Sequence, residues 1–276
     1  MSGFVRQTVS IGRPDTGTEE DASWGIAIES PVEIVVNGEP WTVLLATPAD
    51  LGELAVGLLL TERVVSDVSA VQQVEITALF DDVRVSLTVD PAAMAPGALR
   101  ARALASNTGC GLCGIESLAA LQAREAPQPK ERLAITPTAV LRAFDALPAL
   151  QPLNRVTRSV HAAAWCTLDG EITLVREDVG RHNALDKLVG TLAARGELAT
   201  PGFVVMSSRC SYELVYKATV TNAQLLATIS APTTLALRWA DALALPLASL
   251  SRDRRAGEGG VSAIVRFPLE MTHADG

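Results

Sequence analysis

From Val156 onward the chain alternates short β-type runs with stretches of helical periodicity, and few folds accommodate that pattern. Residues 171–175, 203–206, 225–229 and 247–250 are rich in Val, Ile, Leu, Phe and Met over strand-like lengths. Between them, residues 181–195, 211–220 and 233–243 repeat apolar positions at helical spacing, and residues 261–267 close with one more β run. Strands fed by intervening helices build a mostly parallel or mixed sheet with helices on both faces, a three-layer α/β arrangement.

The first half reads differently. Residues 1–23 are polar, acidic and poor in large apolar side chains, which predicts a flexible N-terminal arm. Two β-rich runs, 32–36 and 41–45, flank Asn37-Gly38, a strong hairpin signal because both turn positions need positive φ. Thr47-Pro48-Ala49-Asp50 then opens a helix, with Thr47 or Asp50 as cap and Leu51, Leu54, Ala55 and Leu58 on its apolar face. Runs 71–76 and 83–89 form a second antiparallel pair turned at Asp81-Asp82. Ala126-Pro127-Gln128-Pro129 is a break, 138–147 a capped helix, and Pro148 and Pro152 a further boundary. The expected organisation is therefore an arm over 1–23, a smaller β-rich α+β part over 24–125, a helical connector over 126–155 and the α/β domain over 156–276.

Between the second hairpin and the break lies Ser106-Asn107-Thr108-Gly109-Cys110-Gly111-Leu112-Cys113-Gly114. Glycines around two cysteines allow a tight turn that leaves a sulfur uncovered. Apolar residues at helical spacing follow in 115–121, so the pair stands at or just before a helix N-terminus, where unpaired N–H groups favour thiolate. Other uses of a C-x-x-C remain open: half of a zinc site, a thioredoxin-like redox pair, or two buried cysteines. Zinc lacks a second pair, because Cys166 and Cys210 stand alone. A thioredoxin motif needs β-α-β surroundings that residues 90–108 do not offer.

A net charge of -8 argues against general nucleic-acid binding, so an anionic ligand would need a local basic cluster. No apolar run approaches the ~18 residues of a membrane helix. The first residues lack a signal-peptide core, and four cysteines do not make a disulfide framework, so the expected location is the cytoplasm.

Four polar turns follow one another in the second half. Glu177-Asp178-Val179-Gly180-Arg181-His182-Asn183-Ala184-Leu185-Asp186-Lys187 surrounds a strand-to-helix turn, with Asp178 to cap the helix and Arg181 and His182 beside the strand ends. Ser207-Ser208-Arg209-Cys210-Ser211-Tyr212-Glu213 and Ser230-Ala231-Pro232-Thr233-Thr234 occupy the next two strand-to-helix turns. Leu250-Ser251-Arg252-Asp253-Arg254-Arg255 places three arginines beyond the last parallel strand. Each has an ordinary explanation as a solvated, capped turn; four on one sheet edge make a ligand groove the better account.

Side by side, these residues resemble the FdhD family, sulfurtransferases that serve formate dehydrogenases. The matching stretches run from about residue 29 to 255: E-S-P-V-E-I-V-V-N-G-E-P, T-P-A-D-L-G-E-L-A-V-G, C-G-L-C-G, E-D-V-G-R-H-N-A-L-D-K, S-Y-E-L-V-Y-K and S-A-P-T-T-L-A. The resemblance implies a larger domain similar to the cytidine-deaminase superfamily, in a homodimer. It also implies a persulfide relay in which a cysteine desulfurase loads Cys110, with Cys113 assisting or accepting. The sulfur would pass to the molybdenum bis-guanine-dinucleotide cofactor before that cofactor enters formate dehydrogenase. Leu250, Ser251, Arg252, Asp253, Arg254 and Arg255, with Arg181, His182 and Arg209, would bind it, the guanidinium forks matching its phosphates. An escort that binds the cofactor or a guanine nucleotide without moving sulfur is the alternative. The chain departs from the family pattern where T-G-G-x-H becomes Thr157-Arg158-Ser159-Val160-His161, S-G-R becomes Ser207-Ser208-Arg209, and G-F-x-R becomes Ser249-Leu250-Ser251-Arg252. Each departure puts a side chain where the family keeps glycine, usually at a pocket wall. A zinc deaminase needs H-x-E and a downstream P-C-x-x-C. Here His161-Ala162-Ala163 lacks the glutamate and the C-x-x-C lies upstream, so neither deamination nor a bound zinc is expected.

Overall fold

The computed structural model describes residues 3–80, 82–97, 99, 133–252 and 262–267, with Arg252 and Ser262 described in backbone only. Cys110, Cys113, Asp253, Arg254 and Arg255 lie outside the described residues.

The alternating second half forms a six-stranded sheet ordered β12-β11-β10-β9-β7-β8. Its strands are β7 (His161–Cys166), β8 (Ile172–Asp178), β9 (Gly202–Cys210), β10 (Ala223–Pro232), β11 (Leu247–Arg252) and β12 (Ser262–Phe267). β9, β10 and β11 are mutually parallel, whereas β7 and β12 run against their neighbours. Strand residues alternate between two cores because successive side chains point to opposite faces. Ala163, Trp165, Val204, Met206, Leu226 and Leu247 face one core, with α4 (Arg181–Ala194), α5 (Tyr212–Ala218) and α6 (Thr234–Ala242). Ala162, Ala164, Cys166, Phe203, Val205 and Ala227 face the other, with α2 (Pro137–Ala146). Helices thus cover both faces, and the three-layer arrangement stands.

β3 (Ser30–Val36), β4 (Glu39–Ala46), β5 (Val71–Leu79) and β6 (Asp82–Val89) make a second sheet, ordered β4-β3-β6-β5. Asn37 and Gly38 both take positive φ, 52° and 85°, as the hairpin signal requires. α1 (Leu51–Thr61) packs on this sheet with one side and on α4 with the other. Its contact with α4 is backbone to backbone. A Cβ on Gly57 would overlap the Asp186 carbonyl oxygen, and one on Gly190 would overlap that of Glu53. One continuous core therefore runs from the N-terminal sheet through α1 and α4 into the larger sheet.

Two expectations need correction. Residues 1–23 do not read through as a loose arm: β1 (Phe4–Arg13) pairs antiparallel with β2 (Thr18–Ala27). Most of that hairpin is exposed on both faces, so no apolar alternation marks it in the sequence. Asp50 occupies the N-cap position of α1 in left-handed backbone but makes no side-chain capping bond among the described residues. It faces Arg176 at 3.5 Å instead, and Thr47 bonds across to the β8–α4 turn. β7 is a strand the sequence does not signal: its run His161-Ala162-Ala163-Ala164-Trp165-Cys166 is alanine-rich, yet it lies inside the sheet between β9 and β8.

Candidate functional site

β8, β9, β10 and β11 end on the same edge of the larger sheet, at Asp178, Cys210, Pro232 and Arg252. β7 runs the other way and begins there, with His161 opposite Asp178. The four polar turns of the sequence are therefore brought together on one edge, where open α/β sheets bind ligands.

Asp178 ends β8, the outermost strand, and is a buried anchor at that end of the row. Its carboxylate is fully enclosed and lies 2.7 Å from the equally enclosed Lys187 Nζ. Oδ2 accepts the Thr47 N–H at 3.0 Å, and Oδ1 accepts the Gly180 N–H at 2.8 Å and Asn183 Nδ2 at 3.0 Å. Lys187 donates onward to the Thr47 carbonyl at 3.0 Å, and Asn183 to that of Leu45 at 2.9 Å. Buried charges persist when paired and fully hydrogen-bonded. Here the pairing joins the end of β4 to the turn carrying Arg181 and His182. Asp178 is thus a tertiary anchor and not the helix cap that the sequence suggested.

A second buried network lies one turn along α4. Lys217 Nζ reaches both Asp186 carboxylate oxygens and Thr61 Oγ1 at 2.9 Å and Glu62 at 3.0 Å, and Thr61 donates to Asp186 at 2.7 Å. Sequence reading gives Thr61, Glu62 and Lys217 no role and holds Asp186 only as part of the Glu177–Lys187 stretch; Asp186 and Lys217 look like the solvated side of amphipathic helices.

Arg181 and His182 open α4, whose N-cap is Gly180 with no side-chain cap. His182 Nε2 lies 2.9 Å from Glu213 Oε2 and 3.4 Å from Ser211 Oγ, joining the first turns of α4 and α5. His161 is half-buried nearby; burial, then the charges of Arg181 and His182, hold its pKa below the usual imidazole value, with Asp178 opposing. Arg209 is exposed at the end of β9. Leu250 packs partly against the core under α2, and Ser251 is half-buried beside it in β11.

The expected hydroxyls turn inward. Ser207 Oγ accepts the Ala162 N–H at 2.8 Å, and Ser208 Oγ donates to the Arg209 carbonyl at 3.1 Å. Thr233 caps α6 through Ala236, and Pro232 ends β10 rather than starting the helix. The departures from glycine divide: Arg158 and Ser159 are exposed, whereas Ser208 and Ser249 turn inward. Arg158 has φ 55°, the left-handed backbone that glycine adopts freely, and its guanidinium lies 5.2 Å from the Trp24 ring. Ser208 and Ser249 are buried, the latter donating to the Ser230 carbonyl at 3.1 Å.

Cys166 and Cys210 are buried and free. Burial raises both thiols, Cys210 to about 12 with Arg209 opposing, and Cys166 further still. Neither supplies a thiolate at neutral pH. Iodoacetamide at pH 8 is therefore expected to leave both unmodified in the native protein and to modify them after unfolding, read by peptide mass spectrometry. Rapid native labelling of Cys210 would contradict its burial. Among the described residues, no three His, Cys, Asp or Glu side chains are grouped to hold a metal ion. No described helix is long and apolar enough to cross a membrane.

Residues 27–257 match the model of the FdhD/NarQ family. The chain is 43% identical over 233 residues to a protein of Variovorax paradoxus named sulfur carrier protein FdhD, covering 84% of this chain and 83% of that one. A protein of the same name from Chromobacterium violaceum is 46% identical over 229 residues, covering 82% and 85%. The fold is similar to the crystal structure of a protein from Desulfotalea psychrophila, described as a formate dehydrogenase accessory protein, with a TM-score of 0.70 at 20% identity over 97% of this chain and 98% of that one. With a family model matched over most of its length and relatives above two-fifths identity, the chain belongs to the FdhD/NarQ family.

Proposed function

We propose that this chain is a sulfurtransferase that takes persulfide sulfur from a cysteine desulfurase and delivers it to the molybdenum bis-guanine-dinucleotide cofactor of a formate dehydrogenase. Its family and the sulfur carrier name of its relatives support sulfur carriage in general. One observation carries the finer reading. Of four cysteines, Cys166 and Cys210 are enclosed with raised thiol pKa values, which leaves sulfur chemistry to Cys110 and Cys113 in their glycine-flanked pair.

Loading is a thiol–persulfide exchange. The Cys110 thiolate attacks the terminal sulfur of the donor's persulfide, the old S–S bond breaks, and the donor cysteine leaves as thiolate. Delivery follows when the Cys113 thiolate attacks Cys110 Sγ. A Cys110–Cys113 disulfide forms, and the terminal sulfur leaves as hydrosulfide carrying the electron pair of the broken bond. A cellular dithiol reductant then restores the pair. The recipient is multiply anionic, and the shared strand-end edge with Arg181, His182, Arg209 and the 250–255 run is where we place its phosphates.

Incubation with a cysteine desulfurase and ³⁵S-cysteine is expected to leave reductant-releasable label on the wild-type chain. Cys110→Ala should abolish it, whereas Cys113→Ala should retain label and fail to discharge it. Undiminished label on Cys110→Ala would sink the assignment and leave the cofactor-escort alternative.

A further inference from the structure

Glu213 is an anomaly on energetic grounds. Its side chain is only 7% exposed, Oε2 contacts His182, and the other oxygen, Oε1, is buried without a hydrogen-bond partner among the described residues. A buried acceptor left bare is unfavourable by about 1–3 kcal/mol, more for a charged group, so a helix that needed only packing here would be better served by an apolar residue. The carboxylate does one thing that a neutral side chain would do less well: it fixes the imidazole.

His182 Nε2 faces two oxygens, Glu213 Oε2 at 2.9 Å and Ser211 Oγ at 3.4 Å. The carboxylate is acceptor-only, so Nε2 carries a proton and the tautomer is set. The ring's other nitrogen, Nδ1, makes no hydrogen bond among the described residues. With its second proton the ring forms an ion pair with Glu213 and offers Nδ1–H as a charge-assisted donor, next to Arg181 and the N-terminal turn of the fourteen-residue α4. The charged groups around it are Glu213 on α5, Arg181 on α4, and Asp178 and His161 on β8 and β7. Asp178 is already neutralised by Lys187.

We infer that Glu213 is a positioning residue, holding His182 by Nε2 so that Nδ1 binds a phosphate of the nucleotide ligand. This rests on the reading of the strand-end edge as the cofactor's phosphate site. Glu213 acts only through His182; sequence reading includes it at the end of the Ser207–Glu213 turn but gives it no role.

Guanosine, GMP and GDP separate this role from a merely structural one. Titrating each into the full-length chain by calorimetry, wild type should bind more tightly as phosphates are added. Glu213→Gln and His182→Gln should each weaken GDP about tenfold, the size expected for loss of one hydrogen bond to a charged group. Guanosine should be unchanged within about twofold, since a distorted fold would weaken all three ligands alike. The double variant should bind GDP no worse than His182→Gln alone, because the glutamate's effect passes through the histidine. If Glu213→Gln does not fold, His182→Gln and Ser211→Ala carry the same phosphate-dependence test. Phosphate-graded binding that survives both substitutions, or additive losses in the double variant, overturns the inference and leaves the phosphate site standing. Wild type that binds none of the three overturns the phosphate site itself, and this inference with it.

Discussion

Gly190→Ala and Gly57→Ala should each lower the thermal unfolding midpoint by several degrees, although both put a better helix former into a helix. The added Cβ at position 57 would overlap the Asp186 carbonyl oxygen, lying 2.7 Å from its carbon and 2.9 Å from the Gly190 nitrogen. At position 190 it would overlap the Glu53 carbonyl oxygen, 2.7 Å from its carbon. The obstacles are backbone, which no rotamer change clears, so α1 and α4 must move apart. Glycine to alanine favours a helix interior by about 1 kcal/mol, while overpacking a core is unfavourable by about 1–3 kcal/mol and more where backbone must shift. The second effect wins because separation also stretches the Thr61–Asp186–Lys217 contacts across the same crossing. A net loss of about 2 kcal/mol lowers the midpoint of a chain this size by about 5 °C. The double substitution should lose less than the sum, since the helices need to separate only once. A raised midpoint for either single variant would mean that the helices are not in backbone contact.

The crossing shows what sequence can and cannot convey. Asn37-Gly38 announces its hairpin because the turn demands two positive φ values that few residues adopt. α4 and α6 announce themselves by apolar spacing, and the strand–helix alternation of the second half is enough to derive three layers. Gly57 and Gly190 carry no such mark: each is an isolated glycine in a helical pattern, and its partner lies 133 positions away in the chain. β7 is silent for a different reason. Buried on both faces between two helical layers, it needs small side chains, and three alanines read poorly as a strand.

The site was legible in part, and the boundary is physical. The gathering of polar turns on one edge follows from strand order, which puts Arg181, His182 and Arg209 at strand ends of the same edge. Which charged residues face inward does not follow. Asp186, Lys187, Glu213 and Lys217 look like solvated positions on amphipathic helices, but all four are buried and paired. A charge is burial-tolerant only where its partner arrives from another element, here α1, β4 and the β8 turn, and that arrival is a property of the tertiary fold. A hint was present in E-D-V-G-R-H-N-A-L-D-K, where the polar residues recur around the whole helix circumference instead of along one stripe.

Asp178→Ala is expected to be among the most damaging single changes in the chain, and far worse than Lys187→Met. Removing the carboxylate leaves the enclosed Lys187 ammonium with only the Thr47 carbonyl at 3.0 Å and the Glu177 carbonyl at 3.5 Å. It also orphans the Thr47 and Gly180 N–H groups and one donor of Asn183. Breaking a buried pair on one side destabilises by about 3–5 kcal/mol, which lowers the unfolding midpoint by about 10 °C in a protein of this size. Lys187→Met removes the other partner, yet the Asp178 carboxylate keeps three N–H donors, so its charge remains hydrogen-bonded and the loss is smaller. Asp178→Leu combined with Lys187→Met should recover part of the loss of Asp178→Ala, because no unpaired charge is left in the core. Thermal unfolding of the three variants orders them. Equal destabilisation by Asp178→Ala and Lys187→Met would show that the pair's own attraction, and not the carboxylate's hold on Thr47, Gly180 and Asn183, fixes the turn. The same order should appear in GDP binding. Asp178 sets the backbone from which Arg181 and His182 project, so a variant that keeps the carboxylate should keep the proposed phosphate site in place.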